Sequence, residues 1–278
     1  MQQTNRSRHR HITSFQVISL GFLSVILLGS LLLMLPIATK SGQCTSFLDA
    51  LFTATSAVCV TGLVVNDTAT YWSLFGQGVI LLLIQIGGMG IITIAIAIAV
   101  ISGRKIGLMQ RSTMQEAISA PTVGGIVRRT QFIIRTTILI EIIGAVLLAP
   151  VFCRDFGFWK GIWYALFHSI SAFCNAGFDL IGIRTPFSSL TSYSVQPIVN
   201  LVIMMLIIAG GIGFLTWDDI KNHKWHFKKY RMQSKVIFMV TGLLIFLPAL
   251  YFFYFEFSNV PLTERVWVSL FQSVTPRT

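Results

Sequence analysis

Long uncharged runs alternate with short basic clusters along this chain. A helix that crosses the hydrocarbon core of a bilayer needs about 20 predominantly apolar residues, and five stretches meet that length. His11 to Thr39 carries no Lys, Arg, Asp or Glu, and its apolar part runs from Phe15 to Leu35. Thr68 to Gly103 is equally free of charge, most apolar between Val79 and Ile101. Gln131 to Val151 is interrupted by Glu141, whereas Thr185 to Trp217 and Val236 to Phe255 hold no charge at all. Arg6, Arg8 and Arg10 precede the first run, as in a secretory signal. That run is too long for a signal's apolar region and has no clear cleavage site after it, so it is read as a retained helix.

The pattern repeats. Leu51-Phe52 leads to Ser56-Ala57-Val58-Cys59-Val60-Thr61-Gly62-Leu63, and Leu166-Phe167 leads at the same spacing to Ser171-Ala172-Phe173-Cys174-Asn175-Ala176-Gly177-Phe178. Gly87-Gly88-Met89-Gly90 is matched by Gly210-Gly211-Ile212-Gly213. Pro36 and Pro150 each fall near the outer end of the preceding helix. A third copy starts with Val236 to Phe255 and reaches Ser269 to Thr275 before the chain stops at Thr278. Each unit reads as helix, short segment, helix. The short segment begins as a helix from Phe47 to Ala57, with Thr45 or Ser46 as its cap. It continues as extended chain from Val60 to Asp67. Non-helical backbone at membrane depth survives only when buried in protein or lining a water-filled cavity. These segments are therefore expected to line something.

Composition narrows the class. The chain is 54% hydrophobic and 11% charged, against about a quarter charged in soluble domains, and its mean hydropathy is +0.74. This excludes a soluble enzyme, a disordered tail and a nucleic-acid reader, despite a net charge of +11. Fifteen of the 21 basic residues fall in three groups: Arg6 to Arg10, Arg104 to Arg135, and Lys221 to Lys235. The excess of cytoplasmic Lys and Arg in membrane proteins puts these groups, and the N-terminus, in the cytoplasm. Units that begin and end on one side are parallel repeats related by rotation about the membrane normal. Such rotation gathers equivalent loops on one axis. Four cysteines without a CxxC pair give no zinc or disulfide framework.

The loops carry no carboxylate at their glycines. Their chemistry is backbone: rings of carbonyl oxygens that replace the hydration shell of a cation. The C-terminal end of each short helix adds partial negative charge. Glycine is needed where the strand must turn successive carbonyls to one side.

The string Thr53 to Leu63, followed by the Gly87 to Gly90 run, resembles the Trk/Ktr/HKT potassium-transporter superfamily, and within it the Ktr-type membrane subunit. The resemblance covers essentially the whole chain. It implies an all-α membrane protein of parallel helix–pore loop–helix repeats around a central cation pore. It implies potassium uptake through a carbonyl filter, with no enzyme activity, no covalent cofactor and K+ as the transported ion. Gly62 and Gly177 match the filter glycines, and Val60, Thr61, Asn175 and Ala176 match the neighbours whose carbonyls face the ion. Gly62, where some plant relatives have serine and prefer sodium, favours potassium. The implied setting is the bilayer of a bacterial plasma membrane, as a homodimer on a cytoplasmic nucleotide-binding ring, with no nucleic acid.

The implied units are residues 1–34, with the N-terminus and first helix, and residues 35–130 for the rest of repeat one (pore loop 44–68, second helix 74–102). Repeat two is 131–234 (pore loop 160–184, second helix 194–217), and the start of repeat three is 235–278, expected to be truncated in its pore loop before the family's gating segment. Sodium or non-selective cation transport, and a non-conducting scaffold, stand as alternatives.

Single residues have plainer readings too. The runs Gly87, Gly88, Gly90 and Gly210, Gly211, Gly213 are hinges or close-packing sites, and packing against the pore helix is favoured. Cys59 and Cys174 are read as small packing residues. Glu141 is read as a partner in an inter-helix hydrogen bond rather than an ion ligand. Trp72, Trp159, Trp163 and Tyr71 are assigned to an interfacial belt. The basic clusters need no role beyond topology, although the Gly103 to Thr130 segment, with Met109, Met114, Ile118 and Ile126, is long for a connector. It and Lys221 to Lys235 are expected to meet a regulatory partner.

Overall fold

The computed structural model describes residues 13–90, 93–94, 126–183, 185–224 and 226–278. The arginines at 6, 8 and 10, the rest of the predicted second span beyond residue 94, and the connector up to residue 125 lie outside the described residues.

Among the described residues, nine α-helices follow one another and the only β-pairing is an isolated bridge between Thr39 and Trp72. Helix α1, Ser14–Leu33, starts at Thr13, whose hydroxyl and backbone are both engaged by Gln16 in a capping box. After a 3₁₀ turn at Pro36–Ala38, the short helix α2, Phe47–Val58, is capped by Ser46, with Asp49 in its first turn where the helix dipole favours a negative charge. Helix α3, Leu74–Met89, is capped by Ser73. The two ends of this outer segment are tied together: Lys40 N donates to Tyr71 O at 2.9 Å and Ser73 N to Ala38 O at 2.9 Å. Trp72 lies fully buried beneath the tie. It is core, not interfacial belt, because the bridge draws it under the loop. Trp159 is 82% exposed.

Repeat two uses the same order with different joints. Helix α4, Ile126–Phe156, runs through Pro150 without ending there. The turn expected at Pro150 comes at Gly157, at φ +83°, and α5, Phe158–Phe173, starts at once. Two 3₁₀ turns, Ile181–Ile183 and Ser189–Tyr193, lead to α6, Pro197–Gly211, with proline at its first turn. Asn200 donates through Nδ2 to the carbonyls of Tyr193, Ser194 and Gln196, securing that entry.

Within the described residues, the second helices expected over 74–102 and 194–217 are each interrupted at a glycine. Helix α3 stops at Gly90, at φ +80°. Helix α6 stops before Gly213, also at φ +80°, and α7, Phe214–His223, leaves at a bend of 95°. Trp217 Nε1 donates to Ala209 O across that corner at 2.9 Å. The physical reason is the same in both: a left-handed residue cannot continue a right-handed helix.

Repeat three begins with α8, Met232–Tyr251, which passes through Pro248 into a π-helical turn at Phe252–Glu256. Helix α9, Leu262–Val274, then packs on α8 and α6. Phe15–Leu33, Val127–Phe156 and Met232–Glu256 are long and apolar enough to cross a membrane, and the bent pair α6–α7 passes the same test together.

Candidate ion pathway

The short helices α2 and α5 end in the same backbone motif. Cys59 N donates to Thr55 O at 2.8 Å, Val60 N to Ala57 O at 3.3 Å and Thr61 N to Ser56 O at 2.9 Å. In repeat two, Cys174 N donates to Ile170 O at 2.9 Å, Asn175 N to Ala172 O at 3.1 Å and Ala176 N to Ser171 O at 2.8 Å. This is a Schellman ending, in which the residue after the cap is left-handed. Val60 has φ +58° and Asn175 φ +59°. Two residues later, Gly62 at φ +76° and Gly177 at φ +73° repeat the positive torsion. Two positive-φ residues two places apart re-aim the chain within three positions, a path that a uniform strand does not take.

The two glycines are neighbours in space. A Cβ placed on Gly62 would lie 2.5 Å from the Ala176 carbonyl oxygen and 3.3 Å from Gly177 Cα. One placed on Gly177 would lie 3.5 Å from Gly62 Cα. All six sequence-predicted loop residues (Val60, Thr61, Gly62, Asn175, Ala176, Gly177) thus belong to two equivalent turns whose glycines touch.

The glycine runs show how the turns are held, and each position has its own task. A Cβ on Gly87 would fall on the Val58 carbonyl, and one on Gly210 on the Phe173 carbonyl. These are the last residues of α2 and α5, so the first glycine of each run admits the C-terminal end of its own repeat's short helix. The second glycine of each run faces the next repeat. A Cβ on Gly88 would lie 2.5 Å from Cys174 Sγ, and one on Gly211 2.6 Å from Arg277 Nη2. The last glycines, Gly90 and Gly213, have no close contact at their Cβ positions (Thr93 Oγ1 at 4.0 Å is the nearest to that of Gly90) but positive φ. The runs are therefore close-packing sites at their first two positions and turns at their last. The step from repeat one to two, then from two to three, is what rotation about a shared axis requires.

Below the turns, on the side of the α1 N-terminus, is a cavity of about 640 Å³. Phe15, Met89, Arg129, Phe132, Phe214 and Thr216 are among its lining residues. The C-terminal ends of α2 and α5 rest on the glycine runs at its upper edge, so their dipoles favour positive charge there.

Glu141 is buried and accepts from Gln85 Nε2 at 3.0 and 3.2 Å. It joins α4 to α3 across the two repeats, in the hydrogen-bonding role read from the sequence. Cys174 packs against Gly88 as expected. Cys59 does not share that environment: it is exposed, because no glycine run meets it among the described residues. Sequence reading gave no bonding role to His168 or to Ser171, which it used only to align the repeats. Ser171 Oγ donates to Phe178 O at 2.6 Å and His168 Nε2 accepts from Leu180 N at 3.3 Å. The available signal was a histidine in a short helix whose partner repeat has Thr53.

On the basic face, Arg231 bonds Asp218 at 3.1 Å and Asp219 at 3.3 Å, and Lys221 sits 4.1 Å over the Phe132 ring. Lys228 and Lys229 are exposed.

A family model described as TrkH, cation transport protein, matches residues 2–255. The chain is 42% identical over 274 residues to the potassium/sodium uptake protein NtpJ of Enterococcus hirae, covering 97% of this chain and 59% of that protein. It is 43% identical over 270 residues to the Ktr system potassium uptake protein B of Bacillus subtilis, covering 95% of this chain and 59% of that one. Its structure is similar to the crystal structure of the potassium transporter TrkH from Vibrio parahaemolyticus, with a TM-score of 0.65 at 19% identity, over 98% of this chain and 52% of that one. The chain thus spans 59% of the length of the two sequence relatives.

Proposed function

Since the chain belongs to the TrkH family of cation transport proteins, multi-pass membrane proteins rather than enzymes, we propose that it serves potassium uptake. K+ passes the carbonyls of Val60, Thr61, Gly62, Asn175, Ala176 and Gly177. The observation that carries this reading is the contact of two Schellman-ended turns at Gly62 and Gly177. Carbonyl dipoles there can replace water around a dehydrated cation without a carboxylate. The left-handed torsions are held by backbone bonds, so the arrangement exists before the ion arrives.

The surroundings follow from the same reading. The N-terminus and the basic clusters lie in the cytoplasm of a bacterial cell and the loops open outward. The transporting assembly is a homodimer on a nucleotide-binding ring. Among the described residues, Lys224, Lys228 and Lys229 are exposed basic residues available to such a ring, whereas Arg231 and Lys221 are engaged within the chain. A sodium-accepting path is the second reading, because the relative NtpJ carries both ions in its name.

The test is growth on low potassium of a bacterial strain stripped of its own potassium uptake, with the chain expressed from its own complete gene. Rescue that rubidium uptake tracks and excess sodium does not suppress supports the potassium reading. Sodium uptake that equals it moves the assignment to the second. Absence of transport of either ion, in a protein that reaches the membrane, leaves the scaffold reading.

A further inference from the structure

His168 lies in α5, one turn before Ser171, and is 2% exposed. Its Nδ1 is 2.7 Å from Tyr164 O and its Nε2 is 3.3 Å from Leu180 N. A backbone N–H only donates, so Nε2 accepts and the ring proton sits on Nδ1, given to the Tyr164 carbonyl. Phe152, Phe167 and Tyr164 surround the ring, with centroids 5.1, 6.2 and 6.4 Å away. Leu180, three residues beyond Gly177, is fully buried, so leaving its N–H without a partner is costly.

Repeat one is built differently at the same place. Thr53 aligns with His168, and its hydroxyl donates to Asp49 O within its own helix at 2.8 Å. Among the described hydrogen bonds, no α2 side chain reaches residues 63–65, the counterparts of 178–180.

We propose that His168 is a positioning residue for the ion path: through Nε2 and Leu180 N–H it holds the outward limb of the second loop, so that the carbonyls of residues 175–177 keep the spacing that distinguishes potassium from sodium. This rests on the filter reading given above. The ring touches no ion; it acts on the limb that Ser171 also holds through Phe178 O.

The experiment compares His168→Leu, His168→Asn and His168→Gln in the full gene product, alongside Gly177→Ser and Thr53→Val. Glutamine places an oxygen where Nε2 stands, whereas the shorter asparagine does not reach Leu180. The readouts are membrane abundance, the KM and maximal rate for potassium, and the potassium-to-sodium uptake ratio. Losing one buried acceptor is expected to lower that ratio about tenfold in the leucine and asparagine variants. The change should fall on KM and the ratio more than on abundance. Glutamine is expected to restore both to within about twofold, and Thr53→Val to leave them there. If the leucine variant fails to assemble, asparagine against glutamine decides. Equal losses in asparagine and glutamine overturn the acceptor role, as does an unchanged ratio in the leucine and asparagine variants when Gly177→Ser shifts it. An unchanged ratio in Gly177→Ser overturns instead the filter reading on which the proposal rests.

Discussion

The two loops reach one backbone shape by different means. Both end their helices with the same three hydrogen bonds and both carry a left-handed residue two places before the glycine. In the first that residue is Val60, a β-branched side chain for which positive φ is an outlier. In the second it is Asn175, whose short amide tolerates the region. Among the described residues, the side-chain ties of the first loop to α2 come from Thr61 Oγ1, which donates to Ser56 Oγ at 2.9 Å and approaches Ser56 O at 3.3 Å, and none reaches residues 63–65. That of the second is tied through Ser171 and His168. Repeat one stores strain in the turn, and repeat two spends side-chain bonds on the limb. Equivalence by rotation constrains the backbone, not the chemistry that holds it.

The comparison breaks most sharply at the glycines. Both have positive φ, which costs an L residue about 1–2 kcal/mol, but only at Gly62 would a Cβ also press on a carbonyl, that of Ala176. Gly62→Ala is expected to lower potassium uptake at least about tenfold more than Gly177→Ala. Rubidium uptake rates at matched membrane abundance measure this, and equal losses would mean that the contact between the loops is not tight in the working protein.

A smaller effect comes from exchanging the left-handed residues. Val60→Asn is expected to raise stability, and Asn175→Val to lower it, each by about 1 kcal/mol. Thermal melting in detergent reads both shifts. A loss on Val60→Asn would show that the valine side chain contributes packing that exceeds its strain.

The smallest effect separates the paired cysteines. Cys59 is exposed, whereas Cys174 packs against Gly88. A membrane-permeant maleimide is expected to label Cys59 faster than Cys174, measured in variants that keep one cysteine at a time. Faster labelling of Cys174 would contradict the packing between the repeats.

Much of the architecture was legible because it rests on period and length. Uncharged runs of about 20 residues announce spans, and the paired strings from Ser56 and Ser171 announce equivalent loops. Ser46 was readable as a cap because a hydroxyl before an apolar helix satisfies an orphan N–H. Glu141 was readable as a hydrogen-bonding group, though nothing in the sequence pointed to Gln85, 56 residues away. Trp72 was misread for a related reason. Its position at the end of an apolar run suits an interface, and only the bridge to Thr39 puts it in the core.

The sequence by itself determined the order of helices and short loops, their repetition, and the glycines at which the chain departs from regular structure. What it left undecided was the purpose of each glycine. A glycine offers either freedom of φ or the absence of a side chain, and a linear string does not say which is in use. Tertiary structure assigned Gly87 and Gly210 to the ends of their own short helices, Gly88 and Gly211 to the next repeat, and Gly90 and Gly213 to turns. It also decided that His168 would hold Leu180, because a hydrogen bond across 12 residues depends on where two backbones meet.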